Sequence, residues 1–167
     1  REIDKYGATL RGADLLEAAL LDNRSTEIGE VIGFCTGDLR MGVAAYAERY
    51  NVRAIKVLLR GIFDEVDSEE LLKQVSPMSD SQLDLYTQIA ASENIEGAVE
   101  QLEATKYYEL LQEALENRKS DSLQPLEDAL DKAYYQDLVS SLPSSGAADR
   151  IYRGFVQVQI DVANLKT

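Results

Sequence analysis

Apolar residues in this chain recur three and four positions apart from one end to the other, with no convincing stretch of strict alternation. That spacing lays an apolar stripe along one side of a helix and gives a strand no buried face. Leu15, Leu16, Ala19 and Leu20 form one such stripe; Ile28, Val31, Ile32 and Cys35 form another; Tyr108, Leu111 and Leu115 form a third. Leu, Ala and Glu, all good helix formers, supply a third of the 167 residues, and there are only 3 prolines and 10 glycines to interrupt them. The chain is long enough to bury a real core. The prediction is an all-α protein of many short helices.

Punctuation residues divide the pattern. Helices are predicted from Ala13 to Leu21, after Ser25, and from an N-cap at Asp38 to Tyr50, with Asn51 as a further cap or kink before a helix from Val52 to Phe63. Gly61 falls in the last turn of that helix. Beyond a polar break at residues 64–68, helices are predicted from Glu69 to Val75 and from Asp80 to Ala91. Pro77 separates these two, and Ser79 with Gln82 forms a capping box. Asn94 caps a helix from Ile95 to Leu102, and Thr105 caps the next. Pro125 opens one running to about Leu142. Pro143-Ser144-Ser145-Gly146 is a break, and a last helix runs towards Thr167.

The formal charge is −13, from 17 basic and 30 acidic residues, and such a surface repels nucleic acid and anionic lipid. The chain has no His, which removes the usual general base and the commonest zinc ligand. There is no GxxxxGK[ST] phosphate loop and no metal-ligand spacing. Cys35 stands alone, so no internal disulfide forms and a reducing compartment is expected. No segment is apolar enough to span a bilayer. The chain opens on Arg1 with no apolar leader behind it, which suggests a fragment of something longer. No cofactor, metal, nucleic acid or small-molecule substrate is expected.

The chain resembles itself at an offset of about 110 residues. Leu16-Glu17-Ala18-Ala19-Leu20 falls on Leu126-Glu127-Asp128-Ala129-Leu130, Arg40 on Arg150, Asn51-Val52 on Asp161-Val162, and Ile55-Lys56 on Leu165-Lys166. This divides the chain into residues 1–63, the end of one helical repeat with its closing motif, and residues 64–167, a following repeat cut off within its own closing motif.

One segment runs against the overall charge. Leu39 to Phe63 carries five cations and one acid, Glu48. On a helix that runs through Asn51, Arg49, Arg53, Lys56 and Arg60 share one side, beside an apolar stripe of Val52, Ile55, Leu59 and Ile62. Such a cationic stripe either pairs with the protein's own acidic helices or docks an acidic partner.

The run from Tyr50 to Gly61, Tyr-Asn-Val-Arg-Ala-Ile-Lys-Val-Leu-Leu-Arg-Gly, resembles the signature of the C subunit of archaeal A-type and bacterial V/A-type ATP synthases, equivalent to the d subunit of the eukaryotic vacuolar ATPase. Asp161 to Thr167 resembles the opening of the same signature in the next repeat. Ser68 to Leu72, Leu102 to Tyr108 and Leu126 to Tyr135 resemble the family's linking helices, so the likeness runs along nearly the whole chain. Ala54 departs from it, since the family commonly has Asn there; the second copy has Asn164. The resemblance implies an all-α, funnel-shaped, pseudo-threefold protein of the central stalk. It implies a non-catalytic protein, not an enzyme, which links the rotor shaft to the membrane proteolipid ring and carries torque for ion-coupled ATP synthesis or hydrolysis. Its partners would be the D and F subunits of the shaft and the ring. Its place would be peripheral, on the cytoplasmic side of the membrane, without insertion. Arg49, Arg53, Lys56 and Arg60 are the candidate partner-binding residues.

Two other classes compete. A generic helical scaffold or interaction domain would share the helical pattern. An enzyme would need paired carboxylates such as Glu69/Glu70 or Asp128/Asp131 in a cleft that raises their pKa values. Asp64 to Glu70 lacks the alternating ligands and central Gly of a calcium loop.

Overall fold

The computed structural model describes residues 3, 4, 7, 8, 10–118, 122–141 and 147–164, with backbone alone at 147–151, 163 and 164. Among these residues the chain is all-helical, as expected. Its helices are α1 (Gly12–Phe34), α2 (Gly37–Phe63), α3 (Ser68–Lys73), α4 (Asp80–Ala90), α5 (Ile95–Glu100), α6 (Tyr108–Glu116), α7 (Gln124–Ser140) and α8 (Ala147–Asn164).

The caps expected at Ser79 and Asn94 hold in the second half. The Ser79 hydroxyl accepts from the Gln82 amide at 3.3 Å, and the Gln82 side chain accepts in return from the Met78 amide at 2.7 Å. Asn94 accepts from the Gly97 amide at 2.8 Å, and Pro125 lies in the first turn of α7. Thr105 is not the cap of α6: Tyr107 holds that place, and the Thr105 hydroxyl accepts from the Tyr107 amide at 3.3 Å in the turn before it. The Gln82 and Gly97 amides are ones that their helices leave without a partner.

In the first half, two expected helices on either side of Ser25 are a single helix, α1, and two on either side of Asn51 are a single helix, α2. The reason is the same in both places: the polar side chain turns away from its local amides and bonds elsewhere. Ser25 donates to the Leu21 carbonyl at 3.1 Å and lies 3.0 Å from the Ser76 hydroxyl. Asn51 bonds sideways into the core. Asp38 is not an N-cap; Thr36 is, and Asp38 sits in the first turn, where its charge suits the helix dipole. The Pro143 to Gly146 break and the second signature beyond Asn164 lie outside the described residues.

Helix α2 is the pillar of the fold. Ile55, Leu58 and Leu59 are fully buried and meet Leu71 of α3, Tyr86 and Ile89 of α4, Val99 of α5, Leu111 of α6 and Leu126, Leu130 and Leu138 of α7 in one continuous cluster. Gly61 lets α3 come close, since a Cβ there would lie 1.9 Å from Leu71 Cδ2. Helix α1 is different: it packs on α2 but buries only Ala19 and Ser25.

Helices α2 and α8 carry stretches that fall on one another at the 110-residue offset, Arg40 on Arg150 and Asn51 on Asp161. They touch at Gly42 and its counterpart Tyr152, and one residue off that offset at Tyr46 and Phe155. The Tyr152 hydroxyl donates to the Gly42 carbonyl at 2.5 Å across a separation of 110 residues, and the Tyr46 and Phe155 rings lie 5.2 Å apart. The contacts ascend both helices together, so the two run in the same sense.

Candidate docking groove on the basic helix

The four candidate cations line one side of a groove of about 580 Å³ between α2, α7 and α8. Two of them are already paired. Helices α2 and α7 run antiparallel, and their facing charges form a ladder. On its first rung the Arg60 guanidinium donates from Nε and Nη2 to the two oxygens of Glu127, both at 2.6 Å. On its second, Lys56 Nζ lies 2.7 Å from Asp131 Oδ1. The two-pronged Arg60 contact holds the Glu127 carboxyl below its ordinary pKa and raises that of Arg60, against some desolvation of each.

The third rung has no acid. One turn further along α7 the chain presents Tyr134 and Tyr135, both lining the groove. Tyr134 is buried, its hydroxyl aimed at the Tyr46 carbonyl 3.4 Å away, and desolvation pushes its pKa above the ordinary value. Arg49 is held by its own helix: Nη1 donates to the Tyr46 hydroxyl at 2.6 Å, and the guanidinium sits 5.1 Å from the Tyr46 ring centroid and 5.9 Å from that of Tyr50. Arg53 is exposed, lines the groove, and has no ion pair or hydrogen bond among the described residues.

A second polar cluster, on another face of α2, was not expected from the sequence. The Glu48 carboxylate accepts from the Asn51 amide at 2.6 Å and from the Tyr107 hydroxyl at 2.5 Å, and the Tyr86 hydroxyl donates to the Asn51 carbonyl oxygen at 2.8 Å. Lys106, paired with Asp137 at 2.5 Å, stands 4.0 Å from the same Glu48 oxygen. Burial first, and the nearby Glu48 charge second, push the pKa values of Tyr86 and Tyr107 well above the ordinary phenol value. The available signal was Glu48 and Asn51 three apart on the side of α2 that carries Val52 and Ile55.

Three of the four carboxylates weighed as enzyme pairs have other partners: Glu70 pairs with Lys73 at 3.0 Å, Asp128 accepts from Gln124 at 2.7 Å, and Asp131 belongs to the ladder. Among the described residues no group of three or more metal-ligating side chains comes together, and no helix is long and apolar enough to cross a membrane.

The family model described as ATP synthase (C/AC39) subunit matches residues 3–167. The chain is 29% identical over 167 residues to the C subunit of the A-type ATP synthase of Methanosarcina acetivorans, covering 99% of this chain and 45% of that protein. It is 30% identical to the protein of the same name from Haloquadratum walsbyi, over 98% of this chain and 48% of the relative, and 26% identical to that of Halobacterium salinarum, with the same coverage. The chain thus spans a little under half the length of these relatives. No solved structure matches it. The match runs through both the basic helix and the acidic helix that faces it, and the chain belongs to the ATP synthase (C/AC39) subunit family.

Proposed function

We propose that this chain is part of a non-catalytic central-stalk subunit of a rotary A/V-type ATP synthase. It would join the rotor shaft, formed by the D and F subunits, to the membrane proteolipid ring, on the cytoplasmic side and without inserting into the bilayer. The family match over residues 3–167 carries this reading. A torque-carrying spacer must be stiff and must hold its neighbours. An unbroken α2 of 27 residues, pinned on one face by the Glu48–Asn51–Tyr86–Tyr107 cluster and on another by the ladder to α7, supports the first requirement.

The near-register, same-sense contact of α2 with α8 supports rotational pseudosymmetry about an axis along these helices, in keeping with a threefold funnel. It also favours dividing the chain near residues 63 and 64 into successive repeats. The two share one core, so they are units of symmetry rather than of independent folding.

The groove supports the second requirement. Arg53 at the empty third rung, with Arg49 behind it, is the docking point for a carboxylate of the shaft or the ring. Lys56 and Arg60 shape the groove while engaged with α7. Co-purification of the chain with the D–F heterodimer at low and moderate salt tests this, with Arg53→Glu alongside. The expected result is capture that weakens with salt and falls at least tenfold in Arg53→Glu. Capture unaffected by the reversal would remove Arg53 from the interface and leave the stalk assignment in place. Failure of both D–F and the ring to retain the wild-type chain would overturn the stalk assignment.

A further inference from the structure

Four cations of α2 line the groove, and α7 answers two of them with acids. Glu127 and Asp131 stand four apart on α7, and Arg60 and Lys56 stand four apart on α2, so the two spacings match. Residues at that spacing share one side of a helix, with Cβ atoms about 5–6 Å apart. Helix α2 then repeats the arrangement beyond Lys56. Arg53 and Arg49 are again four apart and line the same groove, and neither pairs with an acid among the described residues. Tyr134 and Tyr135 stand where α7 would hold the next acid, and α8 contributes the neutral Gln159. Two positive charges are left over, at a spacing that this fold elsewhere meets with two carboxylates on a helix.

We infer that the occupant of the groove is a helix of another protein that carries two carboxylates four residues apart, one for Arg53 and one for Arg49. Charge sets the number of carboxylates, since two guanidinium groups remain and each presents a fork that matches one. The ladder sets their spacing. Arg49 is held in place for this role by its Nη1 bond to the Tyr46 hydroxyl and by the Tyr46 and Tyr50 rings, and its other N–H groups meet no acid. The apolar lining favours a helix over a small anion. Val57 and Tyr135 are half-buried there, and a helix laid in the groove would cover them while an ion would not. The inference rests on the reading of the groove as a docking surface and deepens it, because it states what the partner must present.

The test separates spacing from charge. Two alanine-based peptides, each stapled as a helix and each carrying two glutamates, are titrated into the isotope-labelled chain at low salt. In the matched peptide the glutamates stand four apart; in the other they stand two apart and point to different sides. The Arg49 and Arg53 Nε–H resonances report binding. The matched peptide should bind roughly threefold more tightly, the worth of one further exposed pair. Arg53→Gln should erase that preference while the chain melts as wild type does, so the test stands even where Arg49→Gln disturbs the fold through Tyr46. Equal affinities for the two peptides, or a preference that survives Arg53→Gln, overturn the inference. Inorganic phosphate that moves both resonances at a lower concentration than the matched peptide overturns it too, because a small anion would then be the occupant. So does self-association of the chain that Arg53→Gln abolishes, because a second copy would fill the groove. Capture by the D–F heterodimer, measured beside these, tells the two failures apart. Capture without a spacing preference leaves the stalk assignment and removes this inference; a spacing preference without capture does the reverse.

Discussion

Helix α2 bears two polar networks on different faces, and they differ in what surrounds them. The Glu48–Asn51–Tyr86–Tyr107 cluster sits at the edge of the core, with Tyr86 and Tyr107 each 1% exposed. The Lys56–Asp131 and Arg60–Glu127 ladder is formally charged and just as short in its contacts, yet the Arg60 and Asp131 side chains are 57% and 51% exposed. By distance and charge alone the ladder looks the stronger. Solvent reverses the order, because water competes for an exposed ion pair and cannot replace a partner lost in the core. The cluster therefore determines whether α2 stays joined to α4 and to the start of α6, and the ladder determines chiefly what the groove presents.

The largest effect should follow from Asn51→Leu. It leaves the buried Tyr86 hydroxyl without its acceptor and removes one donor from Glu48, at a cost of about 3 kcal/mol. Thermal melting should fall by roughly 6–12 °C. Tyr107→Phe comes next, at about 2 kcal/mol, since it takes a donor from a carboxylate that keeps Asn51. A loss below roughly 0.5 kcal/mol for both would mean that water replaces the lost bonds, and the contrast between the two faces would collapse.

The ladder should give less. Arg60→Ala and Lys56→Ala should each cost about 0.5–1 kcal/mol, read from denaturant midpoints in a double-mutant cycle with Glu127→Gln and Asp131→Asn. Its acid dependence has a definite sign. Glu127 has a lowered pKa in the folded chain, so its contribution is present above the ordinary value of 4.5 and is lost as pH falls towards the folded value. Glu127→Gln should flatten the acid limb of the stability profile in that window. The buried tyrosines act at the other end. With folded values raised above 10.0, the unfolded chain releases their protons first, and stability should fall as pH climbs past about 10. If Glu127→Gln moves the alkaline limb instead of the acid one, the assignment of the two networks is wrong.

The same contrast explains what could be read from the sequence. The helical class, the caps at Ser79 and Asn94 and the opening at Pro125 were legible because each rests on a few adjacent residues. The cationic stripe was legible because it repeats at helical spacing. Ser25 and Asn51 look like helix ends in the sequence and are not, because whether a short polar side chain caps or continues a helix depends on a partner far away along the chain. For Ser25 that partner is Ser76; for Asn51 it is Tyr86. Nor could the sequence divide the stripe. Lys56 and Arg60 are engaged because Asp131 and Glu127 face them, and Arg53 is not, because the facing turn holds tyrosines. That sorting exists only once α7 lies antiparallel to α2.

Arg53 gives the smallest expected effect on stability and the sharpest use of the comparison. Its side chain is exposed and has no partner among the described residues, so Arg53→Glu removes no contact of the fold. It does place a carboxylate one turn from Lys56 and beside the Arg49 guanidinium, both in the same groove. These cations offset the acid that shares the groove, Asp131, which already pairs with Lys56, and the melting temperature should stay within about 1 °C of wild type. Capture by an acidic partner should nevertheless fall, and added salt should no longer weaken it, because the attraction at that rung has become a repulsion that salt screens. A variant that melts much earlier would show that Arg53 supports the fold as Arg60 does. The groove would then be a third piece of the ladder rather than a surface left open for another chain.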